Sequence, residues 1–90
     1  MKIEFDPIKR DATLEHRGLD MADAEQVFEG DHITFQDTRF EYEEQRFLTF
    51  GLLVKRLVVL AWTQRGDAIR IISMRKANER EQKRYGHRLG

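Results

Sequence analysis

Arg65, Arg70, Ser73, Arg75, Lys76, Arg80 and Tyr85 crowd the last third of the chain, with Lys83 and Arg84 between the final two. A guanidinium stays protonated and its planar fork grips two oxygens at once, so several of them around one phosphodiester suit RNA cleavage without a metal. In that reaction a ribose 2′-hydroxyl attacks the adjacent phosphorus, and the arginines stabilise charge developing on the phosphoryl oxygens. Proton transfer is also needed. Tyr85, His16, His87 and Glu44 are groups able to supply it, and no spacing selects one of them.

The elements that carry these residues decide whether they meet. Ala68–Arg75 reads as a strand with Ile69, Ile71, Ser73 and Arg75 pointing one way and Arg70, Ile72 and Met74 the other. Strict alternation thus puts Arg70 and Arg75 on opposite faces, and they reach one phosphate only if the strand twists or ends between them. Lys76–Tyr85 is helical by propensity and almost wholly polar, and Lys76, Arg80, Lys83 and Arg84 at i, i+4, i+7 and i+8 share one stripe. Pairing of Glu79 with Lys83 and of Glu81 with Arg84 offers the plain alternative, a solvated salt-bridged helix. The functional reading joins that stripe to Arg65, Arg70 and Arg75 as a phosphate-binding edge. Phe47, Phe50 and Trp62 sit within apolar strands and are assigned to the core. His16 lies near a helix end, where an exposed histidine complements the dipole.

Upstream, Ile3 and Phe5 form a short strand, Asp6 caps a helix that starts at Pro7, and Gly18 stops it. Asp20 caps a second helix with Met21, Ala24, Val27 and Phe28 on one face, closed by Gly30. The period then changes to two. Strands are expected over His32–Thr38, Arg46–Leu53, Leu57–Gln64 and Ala68–Arg75, joined by Arg39–Glu44, Val54-Lys55-Arg56 and the hairpin turn Arg65-Gly66-Asp67. The fold class is α+β: a short strand and two helices on a three- to four-stranded antiparallel sheet, then a polar C-terminal helix. The helices cover one sheet face, which leaves the other free to act.

Ninety residues make one domain, 1–90, with a thin core. The longest apolar run, Leu57–Trp62, is far below the ~18 residues of a membrane span, and the start lacks the apolar stretch of a signal peptide. The chain has no cysteine, and its three histidines lack the spacing of a zinc site, so a cytoplasmic protein with no metal and no cofactor is expected. The zero net charge hides an asymmetry. Residues 1–45 hold thirteen acids and five bases, residues 46–90 three acids and eleven bases. Such segregation fits internal pairing, an acidic partner or a basic surface for nucleic acid.

Phe5-Asp6-Pro7-x-Lys9, Gly18-Leu19, the Ala24…Val27-Phe28 helix, Glu44-x-Arg46-Phe47, and above all Arg65-Gly66-Asp67-x-Ile69-Arg70-Ile71-Ile72-Ser73-x-Arg75-Lys76-Ala77 with Glu81…Arg84-Tyr85 carry a family likeness. The whole chain resembles the BrnT family of bacterial toxins. His16-Arg17-Gly18 stands where that family usually has Lys-His-Gly, and Met74 replaces a small residue, so no role passes to His16. The resemblance implies a RelE-like fold and a ribonuclease toxin whose RNA cleavage arrests growth, neutralised by a BrnA-like antitoxin. It implies an active region of Arg65, Arg70, Ser73, Arg75, Arg80 and Tyr85, with Lys76, Lys83, Arg84 and Arg46 as RNA contacts. The alternative is a non-catalytic basic module that binds a protein partner or RNA.

Overall fold

The computed structural model describes residues 1–89. Its order is β1 (Lys2–Phe5), α1 (Pro7–Arg17), a 3-10 turn (Met21–Asp23), α2 (Ala24–Glu29), β2 (His32–Gln36), β3 (Arg46–Leu53), β4 (Arg56–Arg65), β5 (Ala68–Lys76) and α3 (Glu79–Leu89). The architecture is α+β, as expected, with one more strand in the sheet. β1 pairs in parallel with β5, completing a five-stranded sheet of order β1-β5-β4-β3-β2 whose other neighbours are antiparallel. Four residues are too few to announce a pairing partner, and α1, α2 and three strands separate β1 from the strand it joins.

The sheet has apolar residues on both faces. Val58, Leu60, Ile71 and Met74 meet Leu19, Met21, Ala24, Val27 and Phe28 on the α1–α2 side, and Ile3, Phe5 and Trp62 pack against them. Phe50, Leu57, Val59, Ala77 and Leu89 form a second cluster on the opposite side, under α3. The expectation that all helices cover one face is therefore corrected. Ala77 donates its N–H to Leu57 O at 3.0 Å, and Ala77 and Leu89 belong to the second cluster, so the chain leaves β5 toward that side. The last helix also starts later than expected: Lys76 ends β5, and α3 begins at Glu79. On the first side Gly51 is required by close approach, because a Cβ there would lie 2.5 Å from Val27 Cγ1 on α2.

Local signals in the chain are realised at the caps. The Asp6 carboxylate accepts from Ile8 N and Asp20 from Ala22 N, while Gly18 adopts φ 68° and donates to Leu14 O. α1 buries none of its residues. It is held instead through charged contacts: the Arg10 fork grips Asp20 at 2.7 and 2.9 Å, and Arg17 Nη1 donates to Met74 O at 2.8 Å.

Two testable consequences arise here. The Arg10 fork, aided by the Ala22 N–H, holds the Asp20 carboxyl at about 2, below the usual carboxylate value near 3.9. A depressed folded value means that the pair stabilises fully above about pH 4 and is lost as pH falls through 2. The urea midpoint is expected to stay level from pH 7 to 5 and to drop from 4 to 2, with a shallower drop in Asp20→Asn. Separately, Val54 and Lys55 turn the β3–β4 hairpin at φ 49° and 65°, left-handed values that cost a β-branched residue most. Replacing Val54-Lys55 by Asn-Gly should raise stability by about 1 kcal/mol and the melting temperature by roughly 4–8 °C.

Candidate active site

Register decides which arginines meet. Ile71 and Met74 lie in the same core although three positions apart, so the strict alternation expected for β5 is broken between them. Ser73 pairs with Ala61 and Ile71 with Trp62, which leaves Ile72 as an extra residue, a β-bulge. The bulge moves Arg70 onto the face of Ser73 and Arg75. Arg70 pairs with Thr63, Ser73 with Ala61 and Arg75 with Val59, all on the α3 side. Strand rise puts the two arginines about 13 Å apart along the sheet, with the small residues Ala61 and Ser73 between them as a floor.

The rows extend across the sheet. Arg46 pairs with Thr63, so Arg46, Thr63 and Arg70 form one rank, and Glu4 on β1 closes it beside Arg70. Arg70 meets Glu4 only loosely, Nη1 to Oε2 at 3.8 Å, whereas Arg46 Nε donates to Glu44 at 3.1 Å and its guanidinium lies 4.2 Å from the Tyr42 ring centroid. Arg65 is two residues beyond Thr63 at the hairpin end, on the same face by alternation and exposed.

Arg75 is anchored by α3. Its two terminal nitrogens donate to both oxygens of Glu81 at 2.7 and 2.9 Å, not the Glu81–Arg84 pairing expected from helix spacing. Glu81 also accepts from Asn78 N at 2.9 Å while Asn78 Oδ1 accepts from Glu81 N at 2.8 Å, a capping box that starts the helix. The hydrogen-bonded pairing holds the Glu81 carboxyl below its usual value and Arg75 above its own. Glu81 is thus a positioner of Arg75 and a poor base. One turn on, Tyr85 packs on Phe50 and Phe35 with ring centroids 4.5 and 5.7 Å apart, and Arg84 lies over its ring.

The remaining expected residues lie away from this surface. Lys76 alternates to the other side of β5, paired with Val58, and so leaves the proposed helical stripe. α3 turns Glu81, Tyr85 and Leu89 inward, leaving Arg80, Lys83 and Arg84 exposed, with Lys83 3.6 Å from Glu79. Of the proton-transfer candidates, Tyr85 and Glu44 border the arginine face and His87 is exposed on α3. His16 is on α1, lining with Lys9, Arg17 and the Ile72–Ser73 edge a separate concavity of about 330 Å³. Among the described residues, no three His, Cys, Asp or Glu side chains gather to hold a metal ion. Among the described residues, no helix is long and apolar enough to cross a membrane.

Sequence reasoning missed one group, in the loop between β2 and β3. Asp37, whose N–H donates to Arg46 O at 2.7 Å, carries the Arg46 rank one strand further and is buried. Its carboxylate accepts from Arg39 Nε and Nη2 at 2.8 and 2.9 Å, from Arg39 N at 3.2 Å and from Tyr42 Oη at 3.0 Å. These bonds hold it far below the usual carboxylate value and raise Arg39. The signal was the Asp37-x-Arg39 spacing, which favours an Asx turn.

A family model described as "Ribonuclease toxin, BrnT, of type II toxin-antitoxin system" matches residues 5–81. No curated protein matches the chain. The matched span takes in both apolar clusters' strands, the bulge and the Arg75–Glu81 pair.

Proposed function

We propose, for a chain that belongs to the BrnT family of ribonuclease toxins of type II toxin-antitoxin systems, that RNA is cut on the open sheet face between Arg70 and Arg75 without a metal. The observation that carries this reading is the bulge at Ile72, which brings Arg70, Ser73 and Arg75 onto one face beside Arg46. A phosphodiester laid over the Ala61–Ser73 floor has a guanidinium at each end and the Ser73 hydroxyl beneath it as a further donor. The ribose 2′-oxygen bonds to phosphorus, the phosphorus–O5′ bond breaks, and the arginines stabilise the extra charge on the non-bridging oxygens. The 2′-hydroxyl proton leaves to a rim group and the 5′-oxygen takes one up. Glu44 and Tyr85 are two groups of that kind on this face, and Glu4 beside Arg70 is a third. Arg65, Arg80, Lys83 and Arg84 lie outside the reacting centre and serve to track the RNA backbone. A BrnA-like antitoxin would neutralise the toxin by covering this face.

Antitoxin-free protein is expected to cleave RNA in excess chelator and to leave a 2′,3′-cyclic phosphate. A single 2′-deoxy substitution at the cut site should abolish that cut. Cleavage lost with chelator and restored by magnesium would overturn the arginine mechanism. RNA that stays intact but is bound in a salt-sensitive way would instead favour the non-catalytic binding module.

A further inference from the structure

Arg39 enters neither the family likeness nor the arginine-rich stretch, yet its backbone and its fork make three hydrogen bonds to one carboxylate. Its partner Asp37 is a carboxylate only 7% exposed, placed on the α3 side at the end of the rank that holds Arg46 and Arg70. A buried charge of this kind is costly unless fully paired, and Asp37 accepts four hydrogen bonds, three of them from Arg39. The result is a guanidinium with Nε and one edge of Nη2 used and, among the described residues, no partner on Nη1, on a side chain that is otherwise mostly exposed. Here the acid is buried and the base is presented.

Its position relative to the site is what gives that presentation a use. The Asp37 N–H donates to Arg46 O at 2.7 Å, so Arg39 stands at the Arg46 end of the rank that continues through Thr63 to Arg70. Arg39 Nη1 and the terminal nitrogens of Arg46 make no hydrogen bond among the described residues, so both guanidinium groups keep donors that a monoanionic phosphodiester can use.

We propose that Arg39 is a further phosphate-binding residue of the ribonuclease face, and that Asp37 is the positioning residue that holds its guanidinium there. The ligand class is the phosphodiester of single-stranded RNA. The assignment rests on the proposed nuclease reading for its location, but its test does not depend on cleavage. Tyr42 completes the arrangement: its hydroxyl donates to Asp37 and its ring lies against Arg46, so one loop orients two guanidinium groups at once.

The test measures binding of a fluorescent RNA carrying 2′-O-methyl groups, which cannot be cut, against salt concentration. It is paired with single-turnover cleavage of the unmodified RNA, and urea unfolding of each variant shows that it is folded. Arg39→Ala is expected to reduce the slope of log affinity against log salt by about 0.7, the loss of one phosphate contact on a single strand, and to weaken binding about tenfold near 0.1 M salt. Arg39→Lys should restore the slope, because the charge remains, without restoring the full cleavage rate, because the bidentate fork is gone. Asp37→Asn should keep the slope and lower the rate at saturating RNA about tenfold, the split expected when a charge is present but no longer held. A folded Arg39→Ala protein with the wild-type slope overturns the proposal. A reduced slope in Arg39→Ala together with a wild-type protein that never cleaves overturns the nuclease reading and leaves Arg39 as a phosphate contact.

Discussion

Arg70→Ala is expected to lower RNA cleavage by about 10²–10³-fold while the protein remains folded, the loss seen when one preorganised donor to a developing oxyanion is removed. The folded state has little stake in this side chain. Among the described residues its one acid partner, Glu4, lies 3.8 Å away and both groups are about one-third exposed, so the pair resembles surface ion pairs worth less than about 1 kcal/mol. Arg75 would be a poorer choice for the same experiment, since its fork is also a tether for the start of α3. Arg70→Lys should fall between wild type and alanine, because an ammonium retains the charge but not the two-oxygen grip. Multiple-turnover rates on a defined RNA, with urea midpoints measured in parallel, check the result. A folded Arg70→Ala protein that cuts at the wild-type rate would remove Arg70 from the site.

Leu60→Ala is expected to cost about 2–5 kcal/mol and to lower the melting temperature by roughly 10–30 °C, with the urea m-value unchanged. Leu60 sits in the central strand with no exposed surface, in the cluster with Val58, Ile71, Met74 and the α2 residues. Little can collapse into the space it leaves. α1 contributes no buried side chain, and α2 is a six-residue helix already pressed against Gly51. Against the ~5–15 kcal/mol that holds a typical domain, the loss is large. A variant with an unshifted midpoint would mean that the α1–α2 layer repacks freely.

What was legible in the sequence was whatever depends on near neighbours. Asp6-Pro7, Gly18, Asp20 and Gly66 each satisfy a local backbone need, and the helices and turns begin and end where those residues stand. The period-two runs over 46–53 and 68–75 located β3 and β5 to within a residue. The site was half legible. The residue types were readable from the Arg-Ile-Ile-Ser run, but alternation counted from Ile69 placed Arg70 and Arg75 on opposite faces. A bulge is a property of a strand pair, set by how β4 and β5 bury Ile71 and Met74 together, and one strand read alone does not show it. Glu81 was assigned to Arg84 by helix spacing, whereas the more distant Arg75 and the Asn78 N–H compete for the same carboxylate and win. Arg39 was passed over as loop because its meaning comes from Asp37, whose burial depends on the neighbouring β3 backbone.

The extra residue at position 72 has a consequence for how this site can change over generations. Removing the codon for Ile72 would restore regular pairing and leave Ser73, Met74 and Arg75 on the sides they now occupy, because Ile72 is the one residue of the strand pair without a partner. A second residue inserted there would exceed what one bulge absorbs and exchange the two sides of everything downstream, carrying Arg75 toward the packed interior and Met74 toward water. Lineages that keep the chemistry should therefore accept a strand one residue shorter at this point but not one residue longer.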